Sequence, residues 1–133
     1  MAQTHTSDSG RKPGVAQGLN ERRLEEDCPF AVTLRVLGRR WRPAILWKVA
    51  DGVVSFGGLK RALHGVTDMA LSRELAVLQA AGLLNRTETA RGRARSTAYA
   101  LTNRGRSLLP LLAEMQRWGE MDRAALLDGT CAP

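Results

Sequence analysis

Residues 55–102 read SFGGLKRALHGVTDMALSRELAVLQAAGLLNRTETARGRARSTAYALT, and this stretch decides the fold. Ser55 is placed to cap a helix that turns Leu59, Ala62 and Leu63 inward and Lys60 and Arg61 toward solvent, with Gly65 closing it. Thr67 is placed to cap a second helix reaching Ala81, and Asp68 in its first turn complements the helix dipole. Leu71, Leu75 and Leu78 recur at i, i+4 and i+7, the stripe of an amphipathic helix. Asp68, Met69, Ser72, Arg73 and Ala76 fall off that stripe, and Gly82 stops the helix. Residues 83–89 alternate loosely, Arg91, Arg93 and Arg95 occupy a basic tip, and Thr97, Tyr99 and Leu101 share one face of a returning strand. Helix, turn, helix, strand, basic tip, strand is the order of a winged helix-turn-helix, mainly α with a small β-hairpin. Such a fold offers one helix to a DNA major groove and a charged loop beside it.

Upstream, Pro29 suits the first turn of a helix carrying Phe30, Val32, Leu34, Val36 and Leu37, which Gly38 ends. Pro43 opens another, with Ala44, Ile45, Leu46, Trp47, Val49 and Ala50 as its apolar residues and Asp51-Gly52 as its turn. Downstream, Thr102 is expected to cap one last helix that carries Leu108, Leu112, Met115, Trp118 and Met121 and bends at Pro110. Residues 1–23 are poor in apolar side chains and read as a loosely ordered N-terminal arm, 24–127 as the winged-helix domain, and 128–133 as a flexible tail.

The chain has 133 residues, 44% of them hydrophobic, which suffices for one core. Its net charge of +7 comes almost wholly from arginine, since Lys12, Lys48 and Lys60 are the lysines. A GC-rich coding sequence accounts for part of that excess but not for where the arginines cluster. Between Arg86 and Arg106 Glu88 is the one acid, so the local field is strongly positive. No apolar run approaches the roughly 20 residues that cross a bilayer, and the N-terminus lacks the apolar centre of a signal peptide. A cytoplasmic, nucleoid-associated location is therefore expected, where a disulfide between Cys28 and Cys131 is disfavoured. His5 and His64 are isolated and no Cys pair has ligand spacing, so neither a metal nor another cofactor is expected. No paired carboxylates, nucleophile–base pair or phosphate loop stands out, and the chain does not read as an enzyme.

The candidate DNA-binding residues are Lys60, Arg61, Thr67, Asp68, Met69, Ser72, Arg73, Arg91, Arg93 and Arg95. Arg73 is the best base reader, because a guanidinium pairs bidentately with guanine O6 and N7. Thr67 and Ser72 suit phosphate or base, and the tip arginines suit phosphates or a minor groove. The bland alternatives are a solvated helix face and a solvated charge run. Trp41, Trp47 and Trp118 suit either a ligand pocket or core and dimer packing, with packing the better reading. Cys28 precedes Pro29 at a helix start, which favours a thiolate, whereas the Glu25-Glu26-Asp27 run opposes it. On these residues alone a buried, inert cysteine is the better reading.

Several features occur together: Cys28-Pro29, Gly38-x-x-Trp41, the Phe56–Leu59 pair, the spaced leucines, Tyr99-x-Leu101-Thr102 and the run from Gly105 to Pro110. Jointly they resemble the HxlR family of bacterial transcriptional regulators, over Cys28 to about Gly119. The resemblance implies a homodimer, paired through its N- and C-terminal helices, that binds double-stranded operator DNA. It also implies that Cys28 occupies the position at which some members sense electrophiles or oxidants. The chain departs from the family at Asp68 and Met69, where a basic or amide residue is common, at Ala98, where Glu is common, and in its arginine-rich wing.

The expectation is a sequence-specific regulator, a repressor, on a pseudo-palindromic operator, with Cys28 as its regulatory residue. Cys131 is a candidate resolving partner. Two alternatives stay open. The same dimer answers to a small molecule bound near its interface, or the winged helix has been repurposed for RNA or protein contact. No membrane partner is expected.

Overall fold

The structure is a computed structural model and describes residues 28–127. The N-terminal arm at 1–23, His5, the acidic run at 25–27, the tail at 128–133 and Cys131 lie outside the described residues. The chain divides into two compact units, Met1–Gly38 and Arg39–Pro133.

In the first unit, α1 spans Pro29–Leu37, with Pro29 opening it and Cys28 in extended conformation before it. Gly38 ends it, and its amide donates to the Leu34 carbonyl at 2.6 Å. A Cβ at Gly38 would collide with that same carbonyl oxygen, which restricts the position to glycine.

The second unit begins with α2, Arg42–Ala50, whose Ile45, Leu46 and Val49 are buried. Its turn closes at Gly52, with φ at +98°. Helix α3, Phe56–Ala62, starts where Ser55 Oγ accepts from the Gly58 amide at 2.9 Å. It ends at Ala62, three residues earlier than Gly65 suggested. Leu63 leaves the helical conformation and is buried with Val66, so the turn itself contributes to the core. Gly65, at φ +91°, belongs to that turn.

Helix α4, Asp68–Ala80, is capped as expected, with Thr67 Oγ1 accepting from the Ala70 amide at 3.1 Å. Leu71, Leu75 and Leu78 are fully buried along it. Gly82 turns the chain, and strands β1 (Leu84–Arg91) and β2 (Ala94–Leu101) pair antiparallel with Leu84 opposite Leu101. Both strands run further toward the tip than expected, leaving Gly92-Arg93 alone as the turn. The Tyr99 amide donates to the Val54 carbonyl at 2.8 Å, which ties the free edge of β2 to the stretch before α3.

The last segment differs from the expected single bent helix. Thr102 caps a short helix α5, Asn103–Arg106, and α6 starts afresh at Leu109 and runs to Leu127. Pro110 is the second residue of α6, where the amide it lacks has no intrahelical acceptor, so the helix is interrupted before the proline rather than bent at it. Packing anchors α5 ahead of this break. Gly105 is buried against the Leu83 carbonyl, where a Cβ would clash, and Thr102 Oγ1 donates to the Gly82 carbonyl at 2.6 Å. These contacts hold α5 to the α4–β1 connection. Leu83, Leu84, Tyr99 and Leu112 join the core from this side, so α2, α3, α4, the hairpin base and the start of α6 share one apolar interior.

Candidate nucleic-acid interface

Helix α4 has two sharply different faces. The buried line is Leu71, Glu74, Leu75 and Leu78, and the opposite line is Met69, Arg73, Ala76 and Ala80, all exposed. Each line follows i, i+3/i+4, i+7 spacing, as one side of an α-helix must. Asp68 and Ser72 are exposed at the margins.

Glu74 is the residue that sequence reasoning missed. It is 6% exposed and accepts from Arg42 Nε of α2 at 2.6 Å. The Arg42 and Glu74 side chains are only 13% and 8% exposed, so the pair ties α4 to α2 from inside the fold. One signal was available: Glu74 occupies the i+3 place from Leu71, within the apolar stripe.

A second ion pair joins the two helices of the helix-turn-helix. Lys60 Nζ of α3 lies 3.0 Å from Asp68 Oδ1 at the start of α4. Asp68 is thus partnered within the protein, by an ion pair that stays largely exposed on the Asp68 side. Arg61 on α3 is exposed. Arg73, with its side chain 67% exposed, lies a loose 3.9 Å from Glu74 Oε1. The Thr67 hydroxyl accepts the capping bond from the Ala70 amide and keeps its own O–H to donate.

The hairpin arranges its arginines by register. Arg91 pairs with Ala94, and Ala90 with Arg95, on adjacent rungs of the ladder. Adjacent rungs point to opposite faces, so Arg91 and Arg95 diverge and Arg93 sits in the turn between them. Gly92 has φ +63°, whereas Arg93 has no positive φ, which is the type II′ pattern that matches strand twist. All three arginines are exposed. Arg86, further down, faces Glu88 at 3.1 Å. It also lines a groove between α4 and the hairpin together with Phe56, Ser72, Leu75, Gln79 and Tyr99.

Cys28 is a free, half-buried thiol in the first unit. Trp41 and Trp47 are half-buried, with the Arg40 guanidinium 4.6 Å from the Trp41 ring centre, and Trp118 is 68% exposed. Among the described residues, no His, Cys, Asp and Glu side chains gather in a group that could hold a metal ion, and no helix is long and apolar enough to cross a membrane.

A two-helix module with an exposed outward helix face carrying Arg73, followed by a basic hairpin, defines the class of winged helix-turn-helix regulators. Comparison with known proteins gives the family. Residues 36–125 match the model of the HxlR-like helix-turn-helix. An HTH-type transcriptional regulator of Bacillus subtilis, YdzF, is 38% identical over 95 residues, 71% of this chain and 86% of its own length. The redox regulator HypR in its reduced form superposes with a TM-score of 0.68 at 30% identity, over 75% of this chain and 98% of HypR. Diamide-treated YodB of B. subtilis gives a TM-score of 0.59 at 25% identity, over 80% of this chain and 97% of YodB. The chain belongs to the HxlR family and is a DNA-binding transcriptional regulator of the helix-turn-helix type.

Proposed function

We propose that the chain is a repressor that binds a pseudo-palindromic operator as a homodimer, with residues 24–127 as its working module on the nucleoid. The observation that carries this reading is the outward line of α4, unburied and carrying Arg73 among otherwise uncharged side chains, beside a hairpin with three diverging arginines. In this reading Arg73, Met69 and Ser72 meet base edges, while Arg91, Arg93, Arg95, Arg61 and the helix start at Thr67 meet phosphates. The Lys60–Asp68 pair holds the helix start in register.

Dimerisation is supported by α6, where Leu111, Met115, Trp118, Met121 and Leu126 are all exposed along one broad side. Phe30 and Leu34 of α1 are exposed as well, at 81% and 64%. Large apolar side chains exposed along one side of a helix usually mark a contact surface. Sedimentation together with footprinting tests the reading. A dimer protecting two half-sites about 10 bp, or a multiple of it, apart is expected. A monomer at micromolar concentration, or one asymmetric protected site, contradicts it.

A second reading concerns control. HypR is known in reduced and oxidised forms and YodB in a diamide-treated one, and Cys28 is a free, half-buried thiol. We take Cys28 as the regulatory residue. Operator binding by wild type should weaken on diamide treatment, and Cys28→Ser should not respond. Equal responses by both proteins leave Cys28 a packing residue. A response only to an added small molecule, read by tryptophan fluorescence, favours an effector bound at the dimer interface instead.

A further inference from the structure

We infer that Met69, one turn of α4 before Arg73, is a specificity-determining residue that reads the C5-methyl group of a thymine one or two base pairs from the base that Arg73 reads. The inference rests on the DNA-binding reading above and names the chemistry its outward helix face would select.

Met69 is 78% exposed, in the first turn of a capped helix whose opposite face is fully buried. A flexible, unbranched apolar side chain gains nothing from water there. The other members of its line show what it is shaped for. Ala76 and Ala80 are short, so the helix surface beyond Arg73 is flat and can lie close to a groove floor. Met69 and Arg73 are the side chains of that line long enough to project beyond the flat surface, and they stand at i and i+4. One helical turn rises about 5.4 Å, so the two side chains reach base pairs one or two steps apart.

The neighbouring charge has a partner inside the protein. Asp68 could in principle accept from cytosine N4. Its Oδ1 is instead 3.0 Å from Lys60 Nζ, which compensates the carboxylate and turns it toward α3. The long side chains that project from this face at the helix start are one apolar tip and one guanidinium. In the major groove the apolar feature of a base edge is the thymine methyl, and the feature matched to a guanidinium is guanine O6/N7. Thioether and methyl group would meet in a water-excluded contact, a favourable interaction that no other base offers.

The test uses the full-length protein. Duplexes are selected from a random synthetic pool, and each thymine of the selected site is then replaced in turn by deoxyuridine, which removes the methyl group and nothing else. At one thymine per half-site, near a guanine, wild type should lose about fourfold in affinity, as for one methyl group left unburied. Met69→Ala should bind the unaltered site more weakly and should be indifferent to that deoxyuridine. Arg73→Ala should stay sensitive to it. Because Met69 is exposed, thermal melting of Met69→Ala should match wild type, which separates lost recognition from lost fold. Asp68→Asn should select the same site as wild type. The inference is overturned if no thymine matters, if Met69→Ala keeps the same sensitivity, or if Asp68→Asn shifts the selected site at a cytosine. If the pool yields no enriched sequence at all, the sequence-specific reading fails and the inference fails with it.

Discussion

Replacing Arg42 by Met should destabilise the protein far more than an ordinary surface substitution. Arg42 Nε and Glu74 Oε2 are 2.6 Å apart, and their side chains are 13% and 8% exposed. An exposed ion pair contributes about 0–1 kcal/mol, whereas removing one partner of a buried pair costs about 3–5 kcal/mol by leaving the other charge stranded. With Arg42 gone, Glu74 retains the loose 3.9 Å approach of a largely solvated Arg73. The low end of the buried range, about 3 kcal/mol, is therefore expected for Arg42→Met, with a similar loss for Glu74→Leu. For a domain near 100 residues this lowers the melting temperature by about 12 °C or more. The double variant R42M/E74L should lie close to wild type, since matched apolar side chains replace a buried pair with little loss. Urea unfolding of the four proteins at one fixed concentration gives the cycle, because dimer stability depends on concentration. Single losses that simply add in the double variant, within about 0.5 kcal/mol, would refute the reasoning and make the two side chains independent.

The interface should separate into readers and anchors. Arg73→Ala should cost about 1–3 kcal/mol on the selected site and relax preference at one base position, as competition binding on single-base variants would register. Arg93→Ala should weaken cognate and random DNA alike and lower the slope of log K against log salt by about 0.9 per lost phosphate contact. An intact salt slope with altered sequence preference would make the wing a base reader. Gly105→Ala should destabilise by about 1–3 kcal/mol in a urea titration, because the new Cβ meets the Leu83 carbonyl, and a neutral outcome would mean that α5 can lift off that backbone.

Local chemistry made much of this fold legible. Ser55, Thr67 and Thr102 each cap the helix that follows, because a cap depends only on the next three residues. The leucine stripe of α4 is buried as its spacing requires. Legibility failed where distant contacts decide. The end of α3 is set by burial of Leu63 and Val66, not by the glycine that follows Leu63 at one remove. The final helix breaks just before Pro110, which the sequence announces, but the packing of Gly105 against Leu83, which anchors α5, is a contact the sequence does not bring near. The strands extend to the tip although β1 is exposed from Asn85 to Arg91, since a tight turn and cross-strand pairing, not burial, fix them. Hydrophobic periodicity is silent about such strands.

The same division runs through the site. Arg73, Met69 and Ser72 were recognisable because they fall off the stripe, and the structure exposes all three. That Asp68 is held by Lys60, and Glu74 by Arg42 from 32 residues away, was not legible, since either acid could have faced solvent. The alternate spacing of Arg91, Arg93 and Arg95 left open whether they share a face or fan out. The register, with the turn at Gly92-Arg93, decides for divergence.

The central claim is that the outward face of α4 reads DNA sequence while the hairpin supplies charge. The most direct measurement is the ratio of affinities for a selected duplex and a scrambled duplex of equal length at about 0.15 M salt, for wild type and for the Met69→Ala, Arg73→Ala double variant. The account predicts a wild-type ratio of about a thousand or more, falling toward one in the double variant while its binding to scrambled DNA persists. A wild-type ratio near one, or an undiminished ratio in the double variant, would contradict it.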